Sequence, residues 1–406
     1  MVSAARIMQR CEALARHSEQ PNGLTRVFLS PENRAANELV IGWMREAGMR
    51  AKLDAIGNVV GRYEGEKQAS LMLGSHLDTV RDAGRYDGML GVITAIECVA
   101  TLNAKRQRLP FALEVVGFGD EEGVRFGTTM LGSRAIAGAL DPASLDARDA
   151  NGVSVKEALR QFGLDPARVN EVARRKGDLL AYAELHIEQG PVLEAEGLPV
   201  GVVTAINGFS RLRATLNGVA GHAGTVPMHL RRDALAAAAE CVLAVERIAK
   251  GDPELVGTVG RIEAKPGAIN VIPGEVQFTI DIRAPRDELR AQAVREATEA
   301  VQAIAARRNV LCRVEKLQEL GVAKCAPWLM QQLERAIAAE GIRVRKLPSG
   351  AGHDGMAMKT LTDIAMLFVR CKAGISHNPA ESITEADAAV GAKTLLRFIE
   401  DFELPA

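Results

Sequence analysis

Histidine is scarce in this sequence, and its placement points to chemistry. The chain has 7 His among 406 residues, and five of them stand in glycine-flanked polar segments that follow apolar runs. In the first segment, GSHLDTVRDAGRYDGMLG, His76 and Asp78 end an apolar run and Asp87 lies in a glycine-rich turn. A neutral imidazole and a carboxylate can share one divalent ion, while a carboxylate two residues further on orients the imidazole. Taken alone, the segment also suits a turn or a helix cap.

Three consecutive acids close the apolar run of the second segment, VVGFGDEEGVRFG. Three carboxylates at the end of one strand repel one another unless a cation neutralises them or one of them holds a proton. A bound metal together with a general base resolves that conflict. Charge runs are also common in solvated turns, so this segment alone leaves both interpretations open.

The third and fourth segments each add one histidine. In AELHIEQGPVLE, His186 alternates with Glu184 and Glu188, so a strand would place one or both acids on the face that holds the imidazole. A single strand histidine is more often an interior group than a ligand. In GISHNPAE, His377 lies in a turn that the Asn-Pro step makes irregular, and functional groups often occupy such loops.

The four segments together indicate a hydrolase that uses two metal ions. Two imidazoles, a bridging carboxylate, a terminal carboxylate and one free glutamate are the groups that such an enzyme needs. The metals would lower the pKa of a shared water, and the free glutamate would pass its proton to the leaving nitrogen. The alternative, in which these residues only cap helices, form turns or fill the interior, would have to hold for all four segments at once.

Alternating strands and helices must position these residues. The first half of the chain alternates short apolar runs with longer helical patterns, which predicts an α/β domain with a largely parallel or mixed sheet. The metal-capable residues follow strand ends, where open α/β sheets place their sites. The predicted elements of this half are strands at 58–63, 71–74, 113–118 and 181–187 and a helix at 92–103.

The pattern changes near residue 208 and returns near residue 325. RLRATLNGV, GTVGRIEA and EVQFTIDIRA are predicted strands, and 232–250 and 287–308 are predicted helices. This order favours a small α+β domain of the ferredoxin-like type. A helix at 328–340, a strand at 364–368 and a closing helix from about Thr384 follow. Since 406 residues exceed one ordinary core, we predict a catalytic domain at 1–207 and 321–406, interrupted by an inserted domain at 208–320.

Composition bears on partners and location. Lys plus Arg number 50 against 51 for Asp plus Glu, so the net charge of -1 gives no reason to expect nucleic acid or a membrane surface as partner. The six cysteines form no C-x-x-C pair, which indicates buried thiols. The N-terminus is amphipathic and lacks signal-peptide features, and no segment has the roughly 20 apolar residues of a membrane span. We therefore expect a cytoplasmic protein.

These segments resemble those of a known enzyme family. From GNVVGRYEG to GISHNPAE, nearly the whole chain is similar to the hydantoinase/carbamoylase amidases, relatives of the dinuclear zinc exopeptidases. The resemblance implies two divalent ions per subunit, with Asp87 bridging them, His76 and His186 on one ion, and Glu122 and His377 on the other. The histidine of HIEQGP indicates the amidase branch, because the related peptidases have a carboxylate in that role.

The resemblance also implies roles around the metals. Glu121 is the general base, and Asp78 supports the ligands from outside. His222, in GHAGTVPM, is expected to stabilise the oxyanion of the tetrahedral intermediate. Arg283, in DIRAP, has a planar fork that suits a substrate carboxylate, and a surface ion pair is the alternative for it. The remaining residues implied to line the substrate pocket are Gln189, Asn270, Gly350 and Ala351.

The expected architecture is a catalytic α/β domain with a mixed sheet and an inserted ferredoxin-like domain that acts as lid and dimer interface. Lid closure would exclude water and bring His222 and Arg283 to the substrate of a homodimeric enzyme. In SGAGHDG, His353 and Asp354 either order the loop or contact the carbamoyl group.

The expected substrate is a small ureido carboxylate, cleaved with release of ammonia and CO2. GHAGTVPM, SGAGHDGMAM and MLFVRCKAGISHNPAE look most similar to allantoate amidohydrolases, whereas GFSRL differs from their usual sequence. N-carbamoyl-L-amino-acid hydrolase is the alternative, ahead of ureidoglycolate amidohydrolase, β-ureidopropionase and aminoacylase or dipeptidase. The ligand types suit zinc or manganese, with cobalt or nickel as substitutes.

Overall fold

Helices and strands alternate through the chain in the computed structural model, which describes residues 2–405. The chain separates into two units: the first holds the residues through Thr204 and those from Lys324 onward, and the second is Ala205–Ala323. The strands are β1 (Arg50–Leu53), β2 (Val59–Tyr63), β3 (Ser70–His76), β4 (Ala112–Phe118), β5 (Leu179–Ile187), β6 (Val200–Ile206), β7 (Gly208–Asn217), β8 (Gly221–His222), β9 (Val256–Thr258), β10 (Ile262–Lys265), β11 (Val271–Ile272), β12 (Glu275–Ala284), β13 (Leu311–Leu320), β14 (Ala323–Lys324), β15 (Lys346–Ser349) and β16 (Ile364–Val369). The α-helices are α1 (Ala4–Ala15), α2 (Pro31–Glu46), α3 (Met89–Ala104), α4 (Leu131–Ile136), α5 (Val155–Gln161), α6 (Val192–Ala195), α7 (Ala234–Ala249), α8 (Asp287–Arg307), α9 (Pro327–Ala339), α10 (Gly355–Met358) and α11 (Glu385–Glu400).

The first unit is built on a mixed sheet with the strand order β1-β2-β4-β3-β5-β16-β6-β14, and β15 pairs with β6. The central strands β4, β3, β5 and β16 run parallel to one another. β2 joins β4 antiparallel, and β6 joins β16 antiparallel. Every residue of β3, β4 and β16 is buried, which explains why they read as continuous apolar runs in the sequence. The expectation of a mixed α/β sheet is therefore confirmed.

Helices supply the rest of this core. Buried side chains of α1, α2, α3, α9 and α11 join those of the sheet in one apolar cluster. α3 is apolar around nearly its whole circumference, as expected for a helix buried on all sides. It begins directly after Gly88, whose φ of 76° is accessible mainly to glycine.

The parallel strands carry the metal-capable residues to one edge of the sheet. His76 is the last residue of β3, Glu121 and Glu122 come shortly after β4, and His186 is next to last in β5. Because parallel strands end at a common edge, these side chains start from neighbouring positions.

The second unit has its own antiparallel sheet with the order β10-β12-β7-β13, and β9 also pairs with β12. β12 alternates strictly between half-buried and buried residues, so one of its faces lies in a core that also includes α7 and α8. GTVGRIEA, predicted as one strand, forms the two short strands β9 and β10, which pair with different stretches of β12.

Two sequence expectations concern cysteines and membrane spans. The six cysteines are free thiols, and all of them except Cys312 are buried. Among the helices of residues 2–405, none combines the length and the apolar character that crossing a bilayer requires.

Candidate metal centre

Three imidazoles converge on the carboxylate of Asp87. His186 Nε2 lies 3.2 Å and His76 Nε2 lies 3.7 Å from Asp87 Oδ1. His377 Nε2 lies 3.1 Å from the other oxygen, Oδ2. The two carboxylate oxygens thus face different histidines, which is the arrangement that a carboxylate bridging two ions requires.

Backbone carbonyls orient the two buried imidazoles. His76 Nδ1 lies 2.9 Å from the carbonyl oxygen of Asp78, and His186 Nδ1 lies 2.8 Å from that of Ile187. An imidazole that donates from Nδ1 to a carbonyl keeps a free electron pair on Nε2, which is the form that binds metals. His186 Nε2 is buried and makes no hydrogen bond to any residue between 2 and 405, so it is an unused donor atom facing Asp87.

Asp78 organises the two glutamates rather than the imidazole. Its carboxylate accepts the backbone N–H of Glu121 at 3.1 Å and that of Glu122 at 3.2 Å. The contact of Asp78 with His76 is made by its main chain, because its side chain turns toward the loop after β4. The Asp78 carboxylate therefore holds the backbone of the two glutamates and does not hold the His76 ring.

Glu121 and Glu122 complete the cluster. Ligand atoms of His76, Glu121 and Glu122 lie within 4.8 Å of one another, and the same holds for Asp87, Glu122 and His377. Glu122 Oε1 is 3.6 Å from His377 Nε2. His76, Asp87 and His186 form a third such group. The five residues implied as ligands therefore meet in one place.

The carboxylates of the centre have strongly shifted pKa values. Burial and the neighbouring Asp87 raise the pKa of Glu122 to about 7. Burial also raises the pKa of Glu121 well above its usual range, against the opposing influence of His76. Burial alone would raise the pKa of Asp87 too, but its contacts with three imidazoles hold that pKa well below its usual range. Buried carboxylates with opposed shifts are common at functional sites.

A second group of buried residues supports His186. Its ring packs edge-on against the ring of His353, with centroids 4.5 Å apart. His353 Nε2 lies 2.7 Å from Ser349 Oγ, a contact within its own loop. Glu184 accepts hydrogen bonds from Ser75 Oγ and Tyr182 OH.

Glu188, at the same parity as Glu184, does not share its surroundings. β5 ends at Ile187, and the Glu188 carboxylate instead accepts the N–H groups of Val192 and Leu193 at the start of α6. The alternation of residues along the strand therefore placed Glu184 near His186, but it did not place Glu188 there.

The residues implied as substrate contacts fall in both units. In the first unit, Gln189 Nε2 lies 3.2 Å from both oxygens of Asp87, and a Cβ added at Gly352 would lie 3.9 Å from Glu121 Oε1. The loop that contains Gly350 and Ala351 therefore passes close to Glu121. Asp354 is fully buried in the same loop.

The other three residues implied as substrate contacts, His222, Asn270 and Arg283, lie in the second unit. His222 and Asn270 are exposed and adjacent, since the Ala223 N–H donates to the Asn270 carbonyl and β8 pairs with β11. Arg283 Nε donates to Asp281 Oδ1 at 2.8 Å, and Arg283 Nη2 donates to Oδ2 at 3.1 Å. The ion pair considered as the alternative for this arginine is thus present.

Two residues at the centre were missed by the sequence reasoning. Glu381 accepts the backbone N–H groups of Tyr86 and Asp87, and Ser376 Oγ donates to Glu381 at 2.9 Å. Both stand in GISHNPAE, where the only available signal was an acid shortly after the Asn-Pro turn.

Comparison with known proteins places this centre in a family. The sequence profile of peptidase family M20/M25/M40 matches residues 72–401. The chain is 45% identical over 398 residues to an N-carbamoyl-L-amino acid amidohydrolase of Geobacillus stearothermophilus, covering 97% of each chain. It is 42% identical to a probable allantoate deiminase of Oryza sativa subsp. japonica, covering 96% of this chain and 87% of that one. The crystal structure of a hydantoinase/carbamoylase-family amidase from Burkholderia multivorans superposes with a TM-score of 0.92 at 34% identity, covering 98% of this chain and 97% of that chain.

Proposed function

Because this chain belongs to peptidase family M20/M25/M40, and within it to the hydantoinase/carbamoylase amidases, we propose that it hydrolyses the carbamoyl C–N bond of a ureido carboxylate with two bound divalent ions. Its relatives are amidohydrolases, so the chain is a hydrolase of C–N bonds. The two-ion proposal rests on one observation. His76 and His186 face Oδ1 of Asp87, whereas His377 faces Oδ2.

The donor set fits two ions. His76, His186 and Asp87 would hold one ion, and Asp87, Glu122 and His377 would hold the other. The unused, buried Nε2 of His186 supports the first position. Imidazole and carboxylate donors suit zinc or manganese. When bound, such ions lower the pKa of a water and polarise the carbonyl that it attacks.

Glu121 is the proton carrier in this proposal. It is not needed as a ligand, its ligand atoms lie within 4.8 Å of those of His76 and Glu122, and the Asp78 carboxylate holds its backbone. Glu121 takes a proton from the attacking water and delivers it to the leaving nitrogen, which stays on the product as an amine. The carbamoyl group is released as carbamate, which breaks down to ammonia and CO2.

Other residues are assigned to the substrate by the family resemblance. Gln189, Gly350 and Ala351 come from the loops around Asp87 and Glu121. In the second unit, His222 is assigned to the oxyanion, and Asn270 and Arg283 to the substrate carboxylate. The ion pair with Asp281 holds the Arg283 fork in one orientation in the structure.

We propose allantoate as the substrate and N-carbamoyl-L-amino acids as the second candidate. The motifs GHAGTVPM, SGAGHDGMAM and MLFVRCKAGISHNPAE favour allantoate. The 45% identity to the Geobacillus stearothermophilus enzyme, over nearly the full length of both chains, favours the second candidate. Both substrates carry a carboxylate beside a ureido group, so the same metal centre serves either.

A substrate panel tests this proposal. Ammonia release is measured with allantoate, ureidoglycolate, several N-carbamoyl-L-amino acids and an N-acetyl-amino acid, with zinc and manganese compared. We expect allantoate to give the highest kcat/KM and the N-acetyl compound to give none. A preference for one N-carbamoyl-L-amino acid would transfer the assignment to the second candidate, and activity on the N-acetyl compound alone would overturn the ureido proposal.

We also propose that the enzyme is a homodimer through the inserted domain. In residues 2–405, all exposed large apolar side chains other than Val192 and Leu404 belong to the second unit. Met228, Ile269 and Leu311 are among them, with exposures of 76%, 103% and 68%. Exposed apolar side chains concentrated in one unit favour an interaction surface on that unit.

A further inference from the structure

Glu381 is a buried carboxylate that the catalytic roles above do not use. Its residue exposure is 3%, and within residues 2–405 it has no ion pair with a lysine or arginine. A buried charge without a counterion is costly unless hydrogen bonds satisfy it. A carboxylate in such a place therefore needs hydrogen-bond donors around it.

Three donors satisfy this carboxylate. Oε1 accepts the backbone N–H of Tyr86 at 2.8 Å and that of Asp87 at 3.2 Å. Oε2 accepts the hydroxyl of Ser376 at 2.9 Å. The first two donors belong to the turn that carries Asp87, and the third directly precedes His377.

Glu381 therefore joins two segments that lie almost 300 residues apart in sequence. The Asp87 turn is also packed tightly on both sides. A Cβ added at Gly84 would lie 2.1 Å from Glu381 Cδ, and one added at Gly88 would lie 2.5 Å from His76 Cε1. The turn thus sits between the Glu381 carboxylate and the His76 ring, with little freedom to shift.

The contact extends to the neighbouring loop through Ser376. Its hydroxyl donates to Glu381 at 2.9 Å, lies 3.4 Å from Asp87 Oδ2 and accepts from Gln189 Nε2 at 3.1 Å. Gln189 also faces Asp87. His377 itself has a φ of 53°, in the left-handed region that non-glycine residues seldom occupy. Such a conformation persists where the surrounding structure holds it.

We propose that Glu381 is a positioning residue that sets the distance between Asp87 and His377, and with it the affinity of the ion that these two residues share. The inference rests on the proposed two-ion centre. Glu381 touches neither ligand side chain. It acts by holding the Asp87 backbone with one oxygen and Ser376, the neighbour of His377, with the other.

The test uses E381Q. Glutamine keeps the size of the side chain, but it removes the charge and replaces one acceptor with an amide that cannot accept from Ser376. We expect the ion shared by Asp87 and His377 to bind about 10- to 100-fold less tightly, as is typical when a group that supports a ligand is lost, while the other ion changes little. Metal-stripped enzyme is titrated with cobalt(II) and followed by visible absorption and by metal analysis, so the readout does not depend on turnover.

Two further variants keep the test decisive. S376A removes the hydroxyl that joins Glu381 to the His377 loop, together with its longer 3.4 Å contact with Asp87 Oδ2. It should weaken the same ion as E381Q, by less. D54N is the matched control: Asp54 is also a buried carboxylate that accepts three backbone N–H groups, those of Ile56, Gly57 and Asn58, none of which is a proposed ligand. We expect D54N to lower the melting temperature without weakening either ion selectively.

The outcomes separate the inference from the proposed function. If the wild-type chain binds fewer than two ions, the two-ion centre fails. If the wild type binds two ions, and E381Q and S376A bind both with wild-type affinity, the role of Glu381 is overturned while the centre stands.

Discussion

Asp87 lies among three imidazole nitrogens. Those of His76 and His186 are near its Oδ1, and that of His377 is near its Oδ2. The sequence indicated the residue types, because His, Asp and paired Glu in glycine-flanked segments are ligands and acid–base groups. The division of the oxygens depends on the turn of Tyr86 to Gly88 and on contacts with Glu381, which no local pattern encodes. The types of the residues at the site could therefore be predicted from the sequence, but the arrangement of their side chains around Asp87 could not.

Glu121 is tested by its isosteric amide. In E121Q the side chain keeps its size and loses its ability to take a proton from water. We expect kcat for ammonia release to fall by about 10²- to 10⁴-fold, the usual contribution of a general base. Metal analysis should still find two ions per chain, because Glu121 is not a ligand in the proposal. Turnover at the wild-type rate would remove Glu121 from the reaction.

Glu122 makes the stability of the metal-free protein depend on pH. Burial and Asp87 raise its pKa from 4.5 to about 7. A group whose pKa is higher in the folded chain stabilises the fold fully below its unfolded pKa, and this contribution is lost as the pH rises through the folded value. We expect the melting temperature of the metal-free protein to fall between pH 4.5 and about 7, and to fall less in E122Q. Identical slopes for the two proteins would contradict this assignment.

At the scale of elements, the periodicity of apolar residues predicted most strands of the sheet that carries the site and most of the helices around it. The predicted strand 71–74 is Ser70–His76, and the predicted helix 92–103 is Met89–Ala104. The ends were less accurate because they depend on caps such as Gly88, whose conformation a periodicity argument does not see. β1 was not predicted, since it is a four-residue edge strand with two basic residues and no buried position.

Gly88 connects helix α3 to the metal centre, and alanine there tests that connection. Gly88 has a φ of 76°, and an added Cβ would lie 2.5 Å from the His76 ring. Gly127 is the matched control, with a φ of 68° and open space around it. We expect G127A to cost about 1–2 kcal/mol from its backbone conformation alone. G88A should cost more and also weaken metal binding, and equal effects in denaturant unfolding and metal titration would contradict the packing argument.

At the scale of the whole molecule, the change of pattern near residue 208 marks a region that the structure separates as Ala205–Ala323. Each unit has its own sheet and its own apolar cluster. The concentration of exposed apolar side chains in the second unit was not visible in the sequence. Leu311 in β13 alternates with the half-buried Cys312 and Val314, and Leu243 lies on the face of α7 opposite its buried residues.

The homodimer proposal predicts a specific mass. Light scattering behind a sizing column should give twice the mass of one chain at micromolar concentration, with or without metal. The apolar surface of the second unit would then be covered by the partner subunit. A mass of one chain at every concentration would contradict the proposal.

The central claim is that two ions around Asp87 drive ureido hydrolysis, and reconstitution tests it most directly. Metal-stripped enzyme receives increasing equivalents of manganese or zinc, and ammonia release from allantoate and from an N-carbamoyl-L-amino acid is recorded together with bound metal. We predict no ammonia without metal and a plateau at two ions per chain. Full ammonia release from the metal-free protein, or a plateau at one ion, would contradict the claim.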